Sequence, residues 1–366
     1  MKPKAYVDFT WPELKELPRS IPILLPLGPG LDLEAVDRKE AISLEPLPYG
    51  WPESGLGIPA ETFQRFVDGI LNSLRLDGWQ DLCVVAGRGE TLPDFTAPTL
   101  RLKRAGDPTL RLPVGERVVL IPVGHTEQHA YHLTFDTDTR IIEAIGRGTH
   151  AGLPDATALL PVLPYGVSAH RSSYFGTLNV GGRAYEDFLV ALVGALVAQG
   201  HDRFFFLNGH GGNQSYLTNI VKAAGERYLN AFTATAYLYL STTEGIRALE
   251  NQRTSGIGGM GHACELETSL MLYFDPRRVH MERAVDETDF ISTPNYYMDW
   301  IEGGALVANP PWYDDTRTGA YGAPTHATAE KGRLWLEAAV AEKMELVGEI
   351  HEQHRRRKAK RVLKQQ

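Results

Sequence analysis

Short apolar runs alternate along this chain with longer segments of helical periodicity. Runs of strand length lie at 21–27, 82–86, 118–123, 203–207 and 231–240. Helical patterns lie at 61–76, 184–199, 214–228 and 265–273, and a final one spans about 329–357. Strands that alternate with helices favour parallel βαβ units, because a parallel crossover needs a helix-length connection. The sequence therefore predicts a three-layer α/β/α fold with a mainly parallel sheet, and long loops at 41–59 and 303–325.

Two stretches of the chain resemble each other. Residues 61–89 align without a gap with residues 183–211, "PLPYG" at 46–50 matches "VLPYG" at 162–166, and "ILLPLGPG" at 23–30 matches "VLIPVGHT" at 119–126. Chance similarity between two βαβ units is the alternative explanation. The first copy lacks the polar residues of the second, since Leu31 corresponds to Glu127, Leu33 to His129 and Arg88 to His210. We therefore predict that residues 1–105 form a shortened copy without metal ligands, packed on a working unit at 106–366.

Composition excludes several classes of protein. The chain of 366 residues has a net charge of −8 and a pI near 5.9, which disfavours nucleic acid as a partner. The basic end "HRRRKAKRVLK" is interpreted as a solvated helix end, with a binding patch as the alternative. No apolar run reaches the roughly 18 residues of a membrane span, and the two cysteines are far apart in sequence. We expect a cytoplasmic enzyme that has no membrane partner.

Side chains that can bind metals cluster in three segments. They are Glu127, His129, His132, Asp136 and Asp138 after one apolar run, His210 after another, and His262, Glu265 and Glu267 before a helix. In α/β folds, sites form at the carboxyl ends of strands, so these segments are expected to converge. Imidazole and carboxylate suit zinc, manganese or iron. Three alternatives remain open: histidines that cap the core, an anion-binding nest at "GHGGN", and carboxylates that interact with a helix dipole.

Four motifs carry a resemblance to a known family. They are "PVGHTEQHAYHLTFDTD" at 122–138, "NGHGGN" at 208–213, "GHACELETS" at 261–269 and "PTHATAEKG" at 324–332. With these motifs the chain resembles the creatininase (creatinine amidohydrolase) family of metal-dependent enzymes over roughly 110–350. In addition, "FTWPELKEL" at 9–17 is similar to the opening helix of the family.

The resemblance implies a set of site residues. Glu127, His129 and His210 fall on metal positions, and Asp138 falls on the carboxylate that bridges two divalent ions, with Zn²⁺ expected first and Mn²⁺ or Fe²⁺ as alternatives. Gly212 stands where creatininase has a second-site glutamate, so Glu267 is the expected substitute, although Glu265 remains an alternative ligand. His262 is expected to transfer protons near the substrate, with Glu265 as a second catalytic candidate.

The substrate side departs further from the family. Creatininase has gating tryptophans between its two histidine motifs, whereas this chain has none between Trp79 and Trp300, so we expect little activity on creatinine. The loop "YGVSAHRSSYFGT" supplies His170, Arg171 and Tyr174 as substrate-binding candidates. Arg171 can pair with an anionic group, or it can be an exposed loop arginine without a partner.

The resemblance implies the expected activity, and these departures bear only on its substrate. The activity is hydrolysis of a cyclic or formyl amide C–N bond of a small polar substrate by a metal-activated water. The alternatives are a deformylase or small-peptide hydrolase on the same site, and a metal-binding scaffold without turnover. A homo-oligomer is expected, as in the family.

Overall fold

A computed structural model describes residues 3–36, 40–169 and 174–365, with the side chains described as far as residue 363. Its strands are β1 (Lys4–Ala5), β2 (Ile23–Pro26), β3 (Ile42–Ser43), β4 (Leu82–Gly87), β5 (Thr99–Leu102), β6 (Val118–Val123), β7 (Thr157–Leu159), β8 (Arg203–Asn208), β9 (Phe232–Ala236), β10 (Met260–His262) and β11 (Tyr321–Gly322). Its α-helices are α1 (Trp11–Lys15), α2 (Ala60–Leu76), α3 (Thr137–Gly152), α4 (Gly182–Ala198), α5 (Gln214–Arg227), α6 (Thr243–Gln252), α7 (Glu265–Phe274) and α8 (Ala329–Gln365).

The strands form two parallel sheets and one antiparallel pair. The N-terminal sheet has the order β1-β3-β2-β4-β5, the second sheet has the order β7-β6-β8-β9, and β10 pairs with β11. All pairings within the two larger sheets are parallel. The predicted fold class, parallel strands flanked by helices, is therefore confirmed, although the strands divide between two sheets.

Equivalent strands of the two sheets pair in the same register. Ile23 lies opposite Leu82 in the first sheet, and Val119 lies opposite Phe204 in the second. An isolated parallel bridge follows in each half, Leu27 with Leu47 and Val123 with Leu163. These pairs coincide with the sequence alignment of the two stretches. The division of the chain at residue 105 into a degenerate copy and a working unit stays a prediction.

The two halves share one apolar core. Helix α2 of the first half packs on α4 of the second, where the Phe66 and Phe188 rings stack with centroids 4.0 Å apart. A second cluster fills the opposite face of the second sheet, beneath α3, α7 and α8. The outer face of the N-terminal sheet has a smaller cluster around Leu24, Cys83 and Val85, without an α-helix of its own in the described residues.

The described elements differ from the predicted ones at a few places. Strand β9 ends at Ala236 rather than at residue 240, because Leu238 adopts a left-handed backbone with φ +45°. Helices α3 and α6 were not predicted. The predicted loops at 41–59 and 303–325 contain only β3, β11 and short 3₁₀ turns as regular structure.

Candidate metal centre

The carboxyl edge of the second sheet brings the three predicted segments together. Strand β6 leads into the segment that carries Glu127, His129 and Asp138, and the neighbouring strand β8 leads to His210. Glu267 lies in the first turn of α7. The structure groups possible ligand atoms of these residues within 4.8 Å of one another in two sets, Glu127–Asp138–His210 and His129–Asp138–Glu267.

Asp138 stands between the two sets. Its Oδ1 lies 3.1 Å from Nε2 of His129, and its Oδ2 lies 3.1 Å from Nδ1 of His210. Each carboxylate oxygen thus faces a different histidine, as a carboxylate that bridges two ions requires. Asp138 is 1% exposed, so solvent water does not compete with the histidines for its oxygens.

Backbone carbonyls fix the orientation of both imidazoles. Nδ1 of His129 donates to the carbonyl of Glu127 at 3.1 Å, and Nε2 of His210 donates to the carbonyl of Val167 at 3.1 Å. A carbonyl can only accept, so each opposite nitrogen points its lone pair toward the carboxylates in the neutral ring. Histidines that bind metals are held in this way in other proteins.

The two glutamates are also held by neighbouring donors. Ser168 donates its hydroxyl to Oε1 of Glu127 at 2.8 Å, while Oε2 of Glu127 lies 2.9 Å from Nδ1 of His210. Oε2 of Glu267 accepts from the backbone N–H of Ala263 at 2.6 Å, and its Oε1 lies 3.8 Å from Nε2 of His129. In each case one oxygen is held by the protein and the other faces the cluster.

The electrostatics of the cluster fit cations. Burial alone lowers the pKa of His210, but the carboxylates of Glu127 and Asp138 outweigh it and raise that pKa to about 9. Burial likewise opposes protonation of His129, and Asp138 and Glu267 raise its pKa well above the ordinary value. The three buried carboxylates are therefore stabilised by nearby positive charge, which protonated histidines provide when metal is absent. Two divalent ions would balance the same negative charge, so the residues fit the metal centre that the sequence implies.

His262 lies beside this cluster on β10. Its ring centroid is 4.1 Å from that of His129, and its Nε2 donates to the carbonyl of Gln128 at 2.7 Å. A possible ligand atom of His262 also groups with Glu127 and His129 within 4.8 Å. The geometry thus places His262 next to the candidate metal cluster, and an imidazole is a side chain that can exchange protons near neutral pH.

A cavity of about 170 Å³ opens over His210, His262 and Glu267. Much of its wall is aromatic or apolar: Tyr237, Tyr296, Met298, Trp300 and Trp312. These wall residues were not predicted, because the gating tryptophans expected from the family precede the "GHA" motif, whereas Trp300 and Trp312 follow it. The aromatic-rich stretch "NYYMDW" at 295–300 was the available signal.

Glu265 does not join the cluster. Its carboxylate accepts from the backbone N–H groups of Thr254 and Ser255 and forms an ion pair with Lys331, with Nζ and Oε1 2.5 Å apart. These contacts hold the pKa of Glu265 below its usual range despite burial. The structure therefore gives Glu265 a bracing position between α7 and α8, away from the catalytic and ligand roles considered for it.

The other candidates have different positions. The buried His132 places Nε2 2.9 Å from Oγ1 of Thr268. Asp136 pairs with Arg140 and Arg278. Tyr174 donates its hydroxyl to the carbonyl of Thr316 and packs beside Trp312, behind the cavity wall. His170 and Arg171 lie outside the described residues.

A sequence profile of the creatininase family, described as creatinine amidohydrolase, matches residues 109–347. The chain belongs to the creatininase family. As a creatininase-family hydrolase, it is 33% identical over 222 residues to a protein named mycofactocin precursor peptide peptidase from Mycobacterium ulcerans (strain Agy99), covering 59% of this chain and 78% of that protein. It is 24% identical over 241 residues to the creatinine amidohydrolase of Pseudomonas putida, covering 63% and 88%.

Solved creatininase structures share the fold. A manganese form of creatininase superposes with a TM-score of 0.53 at 22% identity, covering 64% of this chain and 91% of that one. A mutant creatininase of the Zn–Zn type gives a TM-score of 0.55 at 23% identity with the same coverage. At these identities the likeness establishes the fold. In the described part of the chain, no helix combines the length and apolarity needed to cross a bilayer.

Proposed function

We propose that the chain is a metal-dependent amidohydrolase with two divalent ions at the carboxyl edge of the second sheet. The observation that carries this proposal is Asp138, whose two oxygens each face a different histidine at 3.1 Å. Glu127, Asp138 and His210 would hold one ion, and His129, Asp138 and Glu267 the other. Zn²⁺ is the first expectation and Mn²⁺ or Fe²⁺ the alternatives, supported by the manganese and zinc forms of related structures.

The chemistry follows from the surroundings of the site. Divalent ions held there would supply an acidified water and polarise the amide carbonyl. His262, oriented by the carbonyl of Gln128, would carry the proton to the leaving nitrogen. The aromatic walls at Trp300 and Trp312 would exclude bulk water from the reacting amide.

The size of the cavity bears on the substrate. A cavity of about 150 Å³ holds benzene, so 170 Å³ accommodates a ring or a single side chain. This supports the first candidate, a non-peptide amide of a small polar molecule, either cyclic or formyl, acted on in the cytoplasm. Both cysteines are buried and neither belongs to a disulfide, which fits a reducing compartment.

A second candidate is hydrolysis of a peptide bond. A related protein named as a peptide peptidase is 33% identical to this chain, compared with 24% for the creatinine amidohydrolase. A cavity that admits one side chain also suits a peptide whose remaining length lies outside. The two candidates share the metal centre and differ only in the substrate that reaches it.

The experiment is metal analysis followed by a substrate panel with and without chelator. The panel contains cyclic amides, formamides, creatinine and dipeptides. Glu267→Gln should lose bound metal and activity, whereas Glu265→Gln, a change on the same helix, should keep the metal and lose only stability. Activity that survives chelation, or equal metal loss in both variants, contradicts the proposal. Metal content near two without turnover of any substrate would instead support the scaffold alternative.

A further inference from the structure

The N-terminal half lies outside the matched family region yet reaches toward the metal centre. The family profile begins at residue 109, and none of the three ligand groups in the described residues includes a residue before it. The two parts are connected through segment 174–180, which begins within the last residues of the predicted substrate loop. This segment lies between helix α2 and the loop that carries Glu127 and His129.

On one side, segment 174–180 contacts residues 126–129, which carry Glu127 and His129 and are called the metal-ligand loop. Oγ1 of Thr177 accepts a hydrogen bond from the backbone N–H of Gln128 at 3.1 Å, and the backbone N–H of Leu178 donates to the carbonyl of Thr126 at 3.1 Å. Gln128 stands between Glu127 and His129 in the sequence. A shift of Thr177 would therefore move the backbone that aims both of these side chains.

On its other side, the segment is held by the N-terminal half. The backbone N–H of Gly176 donates to Oδ2 of Asp77 at 2.8 Å, and the hydroxyl of Tyr6 donates to the carbonyl of Gly176 at 2.9 Å. The backbone N–H of Asn179 donates to Oγ of Ser73 at 3.0 Å. Both polar backbone groups of Gly176 are thus paired with residues of the first half, and Gly176 itself is buried.

The shape of Gly176 makes this anchor specific. Its φ is +88°, and a Cβ at this position would lie 2.4 Å from the Phe135 ring and 2.8 Å from a methyl of Leu14. Only a glycine can bring its backbone this close to Phe135 and Leu14, because a side chain would not fit. The carbonyl of Phe135 in turn accepts from the backbone N–H of Glu127 at 3.1 Å. The anchored glycine therefore packs against a residue that also holds the metal-ligand loop.

We propose that the N-terminal half is a positioning element for the metal-ligand loop, and that Asp77 and Tyr6 are its positioning residues, acting through Gly176 and Thr177. Neither residue touches the cluster. They fix the backbone of segment 174–180, which fixes the backbone of residues 126–128. This gives the first half a role in the working site although it supplies no ligand.

A purely structural role for Asp77 is the competing explanation, and the chain offers a matched control. Asp68 lies on helix α2, which ends directly before Asp77, and it also accepts a backbone N–H, that of Thr96 at 2.8 Å. The hydrogen bonds that Asp68 accepts from Thr96 lie within the first half. Comparing Asp77→Ala with Asp68→Ala therefore separates positioning of the loop from general stability of the first half.

The first test is hydrogen exchange on the full-length, metal-free protein. Asp77→Ala should raise amide exchange in 174–180 and in 126–128 by about tenfold, the effect of losing one hydrogen bond, and Asp68→Ala should leave both segments unchanged. Asp77→Asn keeps an acceptor oxygen and should restore protection. Tyr6→Phe removes only the hydroxyl that donates to Gly176, and it replaces Asp77→Ala in this test if that variant does not fold. Equal exchange in the Asp77 and Asp68 variants, or unchanged exchange in Asp77→Ala and Tyr6→Phe, overturns the proposal.

The second test measures metal retention and rests on the proposed metal centre. Residues that orient ligands typically change metal affinity by about 10–100-fold, so Asp77→Ala should release Zn²⁺ to a competing chelator about tenfold more readily than Asp68→Ala. Retention equal in both variants overturns the proposed link to the ligands. If the unaltered protein binds no Zn²⁺ at all, the proposed function fails while the exchange result still decides the positioning role.

Discussion

Ala130 follows His129 with a left-handed backbone, φ +55°. A residue with a Cβ is destabilised by about 1–2 kcal/mol in this region. The methyl group packs in a buried cluster with Ala263 and Ala320, and burying one such group contributes about 0.8 kcal/mol. The two effects largely offset each other, which explains why alanine is tolerated beside a candidate ligand.

This balance predicts outcomes of different size for two substitutions of Ala130. Ala130→Gly should change the free energy of unfolding by less than about 1 kcal/mol, whereas Ala130→Val should cost about 2 kcal/mol or more and release metal, because a β-branched residue is a genuine outlier at positive φ. Urea unfolding and metal analysis measure both. Ala320→Val is the control for overpacking alone, and equal losses at positions 130 and 320 would rule out backbone strain as the cause.

Asp138 is predicted to be the ligand whose loss does most damage. Asp138→Ala should reduce bound metal from about two ions per chain to nearly none, since both proposed sites share this carboxylate. Asp136→Ala is the matched control: Asp136 pairs with Arg140 and Arg278, so its loss should lower stability and leave metal content intact. Elemental analysis after gentle dialysis gives the answer, and two ions retained by Asp138→Ala would refute the bridging role.

At the level of elements, apolar periodicity predicted the framework and failed where buried faces are polar. The strands β4, β6 and β8 are buried at every position, so their apolar runs were plain in the sequence. Helix α3 was missed because its buried face includes Thr137, Asp138 and Thr149, which break the apolar pattern. The prediction of a strand to residue 240 was wrong, because the left-handed backbone of Leu238 ends the extended conformation. The hydroxyl of Tyr239, the next residue, donates to the carbonyl of Gly209.

The candidate site divides in a similar way. Residue type and position in the sequence gave a wider set of candidates. The resemblance to the family then singled out five of them: Glu127, His129, Asp138, His210 and Glu267. The choice between Glu265 and Glu267 needed the position of Lys331, a contact between distant parts of the chain. Trp300 lies in a turn and Trp312 begins a short 3₁₀ turn, and such segments have no periodicity that indicates which way a side chain points.

Helix α2 provides a prediction about pH. Burial raises the pKa of Asp77, at the end of this helix, to about 7, although Gly176 and Arg19 oppose the shift. Between about pH 4 and 7 the folded protein keeps a proton that the unfolded chain has released, so the stability that Asp77 contributes falls as pH rises through this window and is constant above it. The slope for one group is at most about 1.4 kcal/mol per pH unit.

Urea unfolding of the unaltered protein and of Asp77→Asn, measured from pH 4.5 to 8, tests this prediction. The difference in unfolding free energy between the two proteins should shift in favour of Asp77→Asn up to pH 7 and then stop changing. Other titrating groups cancel in this difference. A difference independent of pH would mean that Asp77 titrates near its ordinary value in the folded protein.

On the scale of the whole molecule, the halves behave as one packed body. The largest core cluster draws residues from both halves, including Tyr49 and Phe66 from the first and Tyr185 and Phe188 from the second. An isolated parallel sheet cannot bury both its faces. The second half covers the inner side of the first half, because α4 packs on α2. We propose that this docking also alters the homo-oligomeric assembly expected from the family, which sedimentation of the intact protein would measure.

Removal of residues 1–105 should therefore give insoluble protein. The deletion would expose the face of α4 around Phe188 and free Gly176 from Asp77 and Tyr6. A contiguous apolar surface of this kind drives aggregation. Phe66→Ala in the intact chain is the milder comparison: it removes one ring from the same interface, should cost about 3–5 kcal/mol, and should leave a soluble, metal-binding protein. Solubility is measured after expression of both variants, and a soluble, active 106–366 fragment would show that the first half is dispensable both for the core and for the position of the metal-ligand loop.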